Sequence, residues 1–352
     1  MKIVLLALAI VIGLLMLLEV GLRLVFGFGK PLTYLPDEEI GYLLSPNQQT
    51  RRFGNWISIN QYSMRSPAFT ATRPQNVIRI MLLGDSVANG GWWTDQAKTI
   101  SAMMVRELES AIHQVKGEEG GGRSEQADQS SWLLSLDSSQ VEVLNASANS
   151  WGPRNQLAYW QRFGQFDAQA VVVLLNTDDL FAIAPNSFAV GRDRNYPDRT
   201  PPLALVEVFN RYVLPASPVP ELEAANAEPG DRVGFNLEAI RQMQAIARQN
   251  NSHLLLTMTP LLREIDSHGG PRDYERQARQ RLLEFTQAEQ IAYLDFLPIF
   301  NAIEQPEALY QDHIHLNPQG NQLVSATISN SLQKLLNQHQ PFVETVTDPR
   351  LI

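Results

Sequence analysis

Between residues 77 and 337, short runs of Val, Leu and Ile take turns with longer stretches of helical period, and that alternation leaves little choice of architecture. Residues 77–83 are apolar except for Arg79, and 141–144, 170–175, 253–258 and 292–296 are further short runs rich in apolar residues. Runs of this kind belong to strands buried on both faces. In 99–114 the apolar residues Ile100, Met103, Met104, Leu108 and Ile112 fall on one helix face. Helices are likewise expected over 156–166, 235–249, 272–290 and 318–336. Repeated strand–helix alternation predicts an α/β fold, a doubly wound and mainly parallel sheet flanked by helices in three layers.

The flanking segments read differently. From Ile3 to Leu18 every residue is apolar or Gly, and the run continues to Phe28 broken only by Glu19 and Arg23. As a helix this stretch extends about 39 Å, more than the roughly 30 Å that a hydrocarbon core requires. An uncleaved single-pass membrane anchor over residues 1–30 is therefore expected, with a cleaved signal peptide or a buried core helix as the alternatives. Glu19 and Arg23, four apart, can pair near the far interface. Lys2 precedes the span whereas Lys30, Arg51 and Arg52 follow it, a balance that does not favour export of the body. A short N-terminal tail before one apolar span is nevertheless the form of a signal-anchor, so an extracytoplasmic body (periplasm or cell surface) is expected.

Residues 31–76, rich in Pro, Asn, Gln and Arg, suggest a small extended or β-rich lead-in. The main domain is expected over 77–340. Within it, 116–131 has the composition of a solvated low-complexity insertion. Residues 184–232 form a Pro-rich insert too long for an ordinary connection, either a lid or substrate-binding element or plain decoration. The tail at 341–352 shows no clear element.

With 352 residues, 44% of them hydrophobic, the chain can bury a large core. A net charge of -9 without a long Lys/Arg cluster excludes nucleic acid as the main partner and favours neutral or weakly charged substrates. The absence of cysteine removes disulfides, thiolate chemistry and Cys-ligated zinc.

Two motifs carry chemistry. Gly84-Asp85-Ser86 ends the first core strand, so the Ser86 hydroxyl is expected on the turn leaving the sheet's carboxyl edge. In Asp312-His313-Ile314-His315 the carboxylate can hold one imidazole nitrogen. Alone, Ser86 can be a turn residue or helix cap and His315 a packed structural residue. Together they have the logic of a triad, in which a weak nucleophile is served by a base and a carboxylate fixes the base's tautomer. Metal ligation by Asp312, His313 and His315 fits less well, because the helical His spacing and a second acidic cluster are lacking. An α/β-hydrolase needs a Gly-x-Ser-x-Gly elbow, which is not present. Trp92, Trp93, Trp151 and Tyr159 near these motifs are candidates for a pocket lining, or for core and rim.

In these motifs the chain resembles the SGNH (GDSL-type) serine hydrolases across roughly residues 77–337, with the flavodoxin-like three-layer fold of that family. The resemblance implies Ser86 as nucleophile with its N–H in the oxyanion hole, His315 as base and Asp312 as its orienter, with no metal or organic cofactor. His313 then has a structural or substrate-facing place. The stretch 143–152 is similar to the family's second block, with Ser150 where a Gly usually donates its N–H. Leu175-Asn176-Thr177-Asp178-Asp179 is similar to the third, with Asp178 where an Asn side chain usually donates. An ionised carboxylate accepts and cannot donate, whereas one held neutral by an apolar site can. The function implied is a membrane-anchored serine esterase or deacylase acting on O-acyl esters, with acylated cell-envelope glycans as the substrate class. An O-acyltransferase with the same triad and a non-catalytic glycan-binding scaffold are the alternatives.

Overall fold

The computed structural model describes residues 1–118 and 140–337; the low-complexity stretch past residue 118 and the tail at 341–352 lie outside them. The chain opens with α1 (Lys2–Gly21), extended by a π-turn (Leu22–Phe26), and none of these residues is buried. Two antiparallel hairpins follow, β1 (Tyr34–Asp37) with β2 (Gly41–Leu44) and β3 (Gln49–Arg52) with β4 (Asn55–Ser58). These hairpins lie within the stretch read from the sequence as a β-rich lead-in.

The main sheet has five parallel strands, β5 (Val77–Gly84), β6 (Gln140–Ser147), β7 (Ala170–Asn176), β8 (His253–Thr259) and β9 (Ala292–Asp295). Their spatial order is β6-β5-β7-β8-β9. The chain leaves β5 on one side to form β6 and returns on the other for β7, so the order reverses between β5 and β7. Above the carboxyl ends of that pair lies the crevice where open parallel sheets bind ligands.

Every residue of β5 and β7 is buried, as their largely apolar runs predict. Strand alternation then sorts the side chains into two cores. Ile78, Ile80 and Leu82 pack with Ile100, Met104 and Leu108 of α3 (Ile100–Glu118) and with the C-terminal helix Pro318–Asn337. Met81 and Leu83 face the opposite layer, helices Pro153–Phe163 and Arg232–Gln249, with Trp151, Tyr159 and Trp160 beneath them. Each fully buried Leu or Ile stabilises the fold by about 1.5–3 kcal/mol. Arg79, the polar exception in β5, donates to Glu142 at 2.7 Å and to the Phe166 carbonyl at 2.7 Å, which offsets its desolvation.

In chain order the helices after α1 are α2 (Ser86–Asn89), α3, α4 (Pro153–Phe163), α5 (Ala204–Val208), α6 (Pro220–Asn226), α7 (Arg232–Gln249), α8 (Asp273–Ala288), α9 (Leu297–Asn301) and α10 (Pro318–Asn337). Two starts lie earlier than periodicity indicates. Pro153 occupies the first turn of α4, where its fixed φ suits a helix, and Gly164 at φ 74° stops it. Asp231 caps α7 by accepting from the Gly234 N–H.

Gly84 joins β5 to the turn that carries Ser86. A Cβ there would lie 2.5 Å from the Ala88 Cβ and 2.9 Å from the Leu174 carbonyl oxygen, and the latter is sheet backbone. Gly84→Ala is expected to lower stability by about 1–3 kcal/mol, read by chemical denaturation, because the α2 turn must shift away from β7. An unchanged midpoint would mean that the turn is not held against β7.

Candidate active site

Ser86 occupies the first position of α2, and Asp85 caps that turn by accepting from the Val87 N–H at 2.8 Å. Several groups hold the turn in place. Asn145 donates to the Ala88 carbonyl at 2.8 Å and Asn89 to the Ser147 carbonyl at 3.0 Å, which ties α2 to β6. From the lead-in, the buried Arg65 donates to the carbonyls of Asn89 and Gly91 at 2.7 and 2.5 Å.

The second motif lies on the loop before α10, closed by an isolated bridge between Tyr310 and Leu316. Asp312 Oδ1 accepts from the N–H groups of Ile314 and His315 at 2.9 and 2.8 Å, and its Oδ2 lies 2.8 Å from His315 Nδ1. Nε2 on the far side of the ring lies 2.8 Å from Ser86 Oγ. A carboxylate at Nδ1 favours the proton on that nitrogen and leaves Nε2 to accept. Trp93 packs against the imidazole with ring centroids 4.3 Å apart. Burial would raise the Asp312 carboxyl, but the hydrogen bonds from the His315 ring and from the backbone outweigh it and hold Asp312 below the usual range. With both ring nitrogens engaged, His315 does not converge with His313 on a metal position.

Ser86, Ser150, Asp178, His313 and His315 all border one cleft of about 500 Å³. Ser150 adopts the left-handed conformation at φ 59°, a backbone that a glycine takes without strain. Its Oγ accepts from the Tyr196 hydroxyl at 2.8 Å, so the side chain is drawn aside by the Pro-rich insert. Asp178 is half-exposed and lies 3.8 Å from Arg263, which also pairs with Glu275. Burial pushes the Asp178 carboxyl up, the Arg263 charge opposes that, and the nearby Glu264 and Glu275 reinforce it. Of the aromatics singled out in the sequence, Trp151 and Tyr159 are buried in the core, and Trp93 backs the imidazole rather than lining the cleft. The insert also lines this cleft, through Ala184, Asn186, Tyr196 and Asn226 among others.

Sequence reasoning missed the polar cluster beneath the nucleophile. Asn176, at the end of β7, donates through Nδ2 to Asp85 Oδ2 at 2.8 Å and to Asp179 Oδ2 at 3.2 Å, and its N–H donates to Asp179 at 2.9 Å. Ser86 Oγ lies 3.3 Å from the same Asp85 oxygen. The amide nitrogen of Asn176, a residue that borders the cleft, is thus engaged by two carboxylates. Burial raises the Asp85 carboxyl, opposed by the hydrogen bond from Val87. Burial, and then the charge of Asp85, push Asp179 well above the ordinary range. The available signal was topological, since a parallel sheet brings the residues after β5 and β7 to one edge.

Residues 82–323 match the model of the GDSL-like lipase/acylhydrolase family. No curated protein matches significantly. Among solved structures the chain is similar to the lipase/acylhydrolase from Enterococcus faecalis, at 11% identity over 76% of this chain and 100% of that one, with a TM-score of 0.41. It is also similar to an acetylxylan esterase from Geobacillus stearothermophilus, at 12% identity over 74% and 96% of the two chains, with a TM-score of 0.43.

Asp179 holds its proton more firmly in the native state than in the unfolded chain. Its extra stability is fully present below the ordinary carboxyl value and is lost as pH rises towards the native value, because the unfolded chain releases the proton first. Asp179→Asn removes this titration. The Tm difference, variant minus wild type, is expected to grow more positive from about pH 4 to about pH 8. A difference independent of pH would contradict the assignment.

Proposed function

The chain belongs to the GDSL-like lipase/acylhydrolase family and is an ester-bond hydrolase, and from that premise we propose that Ser86, His315 and Asp312 carry the reaction. The observation that supports this most is the unbroken line Ser86 Oγ, His315 Nε2, His315 Nδ1 and Asp312 Oδ2, with 2.8 Å at each of its two hydrogen bonds.

In this reading Ser86 Oγ attacks the ester carbonyl carbon and passes its proton to His315 Nε2, and Asp312 stabilises the imidazolium. The tetrahedral oxyanion is received by the N–H groups of Ser86 and Ser150, with Asp178 at the edge of the hole. His315 then protonates the departing alcohol, and the same base activates a water that cleaves the acyl-enzyme.

We assign residues 1–30 to a membrane anchor, 31–76 to a lead-in that braces the nucleophile turn, and 77–340 to the catalytic unit carrying the insert at 184–232. The anchor is supported by Lys2–Phe26, a helix long and apolar enough to cross a membrane and unburied in the body. The substrate class we infer is an O-acylated cell-envelope glycan outside the cytoplasm, by fold-level analogy. The polar side chains of Asn186, Asn226 and Tyr196 around the cleft suit a hydroxyl-bearing acceptor better than a long acyl chain.

Ser86→Ala is expected to lower kcat towards p-nitrophenyl acetate by roughly four to six orders of magnitude. It should also abolish labelling by a fluorophosphonate probe, and retained activity would remove Ser86 as nucleophile. Asp178→Asn replaces a poor donor by a good one and is expected to raise kcat about tenfold or more. A fall in kcat would instead give the carboxyl a task of its own.

A further inference from the structure

Within the Pro-rich insert lies a helical stretch whose faces are reversed. Helix α5 continues through the π-turn Phe209–Val213. Along it Ala204 and Glu207 are buried, whereas Phe209, Tyr212 and Val213 are 51%, 60% and 62% exposed. A surface helix ordinarily turns its apolar face inward and its charges to water. The inward charge is fully engaged here. Glu207 pairs with the buried Arg52 and accepts from the Gly29 N–H at 2.6 Å.

This reversed stretch is fastened to the end of the apolar N-terminal helix. Glu19 accepts from the N–H groups of Ala204 and Leu205 at 2.8 and 2.9 Å. Arg23 donates to Glu19 at 2.6 Å and to the Pro202 carbonyl at 3.1 Å. Just past the helix, Phe28 meets Tyr212 edge-on, with centroids 6.1 Å apart. The junction also exposes Lys30, Arg51, Trp56 and Trp92, the basic and aromatic side chains that favour a headgroup layer.

We propose that residues 203–214 lie in the interface of the bilayer that α1 crosses, with Phe209, Tyr212 and Val213 set among the headgroups and upper acyl chains. The occupant of this apolar face is phospholipid, because the face is continuous with the helix that enters the membrane. The proposal rests on the reading of α1 as an anchor. Such segments sit about 5–10 Å into the boundary of headgroup and acyl chain. The body is then laid against the lipid rather than held by a free tether. A run of packed rings reaches from this junction to the base: Phe26 to Phe53 at 5.9 Å, Phe53 to Trp92 at 5.1 Å, Trp92 to Trp93 at 5.7 Å and Trp93 to His315 at 4.3 Å. A body docked in this way works on esters presented close to the membrane surface.

The chain has no cysteine, so single introduced cysteines report without background. The full chain carrying Val213→Cys, Phe209→Cys, Leu14→Cys or Gln280→Cys is labelled with an environment-sensitive nitrobenzoxadiazole dye. Each is placed in phosphatidylcholine/phosphatidylglycerol nanodiscs with and without bromine on the acyl chains. Labels at 213 and 209 are expected to shift to the blue and to lose fluorescence to brominated lipid, as at 14 within the span, whereas 280 on the exposed face of α8 does neither. If 14 is quenched while 213 and 209 behave like 280, the docking is overturned and the anchor stands. If 14 is not quenched either, the anchor reading falls and takes the docking with it. A blue shift at 213 or 209 that brominated lipid leaves unquenched would assign the face to protein, a second copy included, and overturn the proposal.

Discussion

Two buried carboxyl groups share one amide nitrogen, and the position of Ser86 follows from it. Asp85 ends β5 and caps the turn that begins with Ser86, while Asp179 belongs to the turn after β7. Asn176 donates to both, so the carboxyl ends of two neighbouring strands are tied at the point where the sheet order reverses. Without that donor the two buried carboxyl groups would face each other with no shared partner, where an uncompensated charge is costly. The raised affinity of Asp179 for its proton expresses the same crowding. The cluster is thus a clasp for the strand ends beside Ser86 Oγ.

That arrangement shapes what the cleft has to offer a substrate. The Asn176 amide nitrogen, at the border of the cleft, is committed to Asp85 and Asp179, and Asp178 lies toward Arg263. In the proposed reaction, donation to an oxyanion falls to backbone N–H groups, which titrate in no accessible range and are placed by turns rather than by rotamers. Ser150 meets this demand in a left-handed conformation, with its hydroxyl drawn aside by Tyr196. The Pro-rich insert thereby serves two ends of the molecule. One part completes the cleft wall, and another sits beside the apolar N-terminal helix.

Periodicity made the sheet legible, because β5 and β7 are buried on both faces and are apolar but for Arg79 and Asn176. The meeting of Ser86 with the Asp312–His315 loop was legible for a related reason, since parallel strands deliver all their carboxyl ends to one edge. What periodicity cannot carry is side-chain partnership across long sequence distances. Asn176 is an ordinary strand-end residue in sequence, and its task is defined only by two carboxylates 91 and 3 residues away. Arg65 looks like a solvated charge in a polar lead-in, yet it is buried where the carbonyls of Asn89, Gly91 and Thr94, at the end of α2 and in the loop after it, converge on its guanidinium. The reversed face of α5 escaped for a third reason. Its few turns follow several prolines, and its apolar residues face away from the body, so no inward period was there to find.

The imidazole and the hydroxyl that meet at 2.8 Å are 229 residues apart in a chain of 352. Between them lie β6, β7, β8 and β9, each of which must take its place in a parallel sheet before the loop ahead of α10 can close over β5. Parallel pairings of this kind are slow to form, since loop-closure entropy is spent before the contacts reward it. A chain still emerging from the ribosome, or one stalled partway, therefore holds Ser86 on an incomplete sheet without its imidazole partner. The Ser86–His315 contact arrives only with the loop ahead of the final helix, and topology acts as a timer for the completion of the cleft.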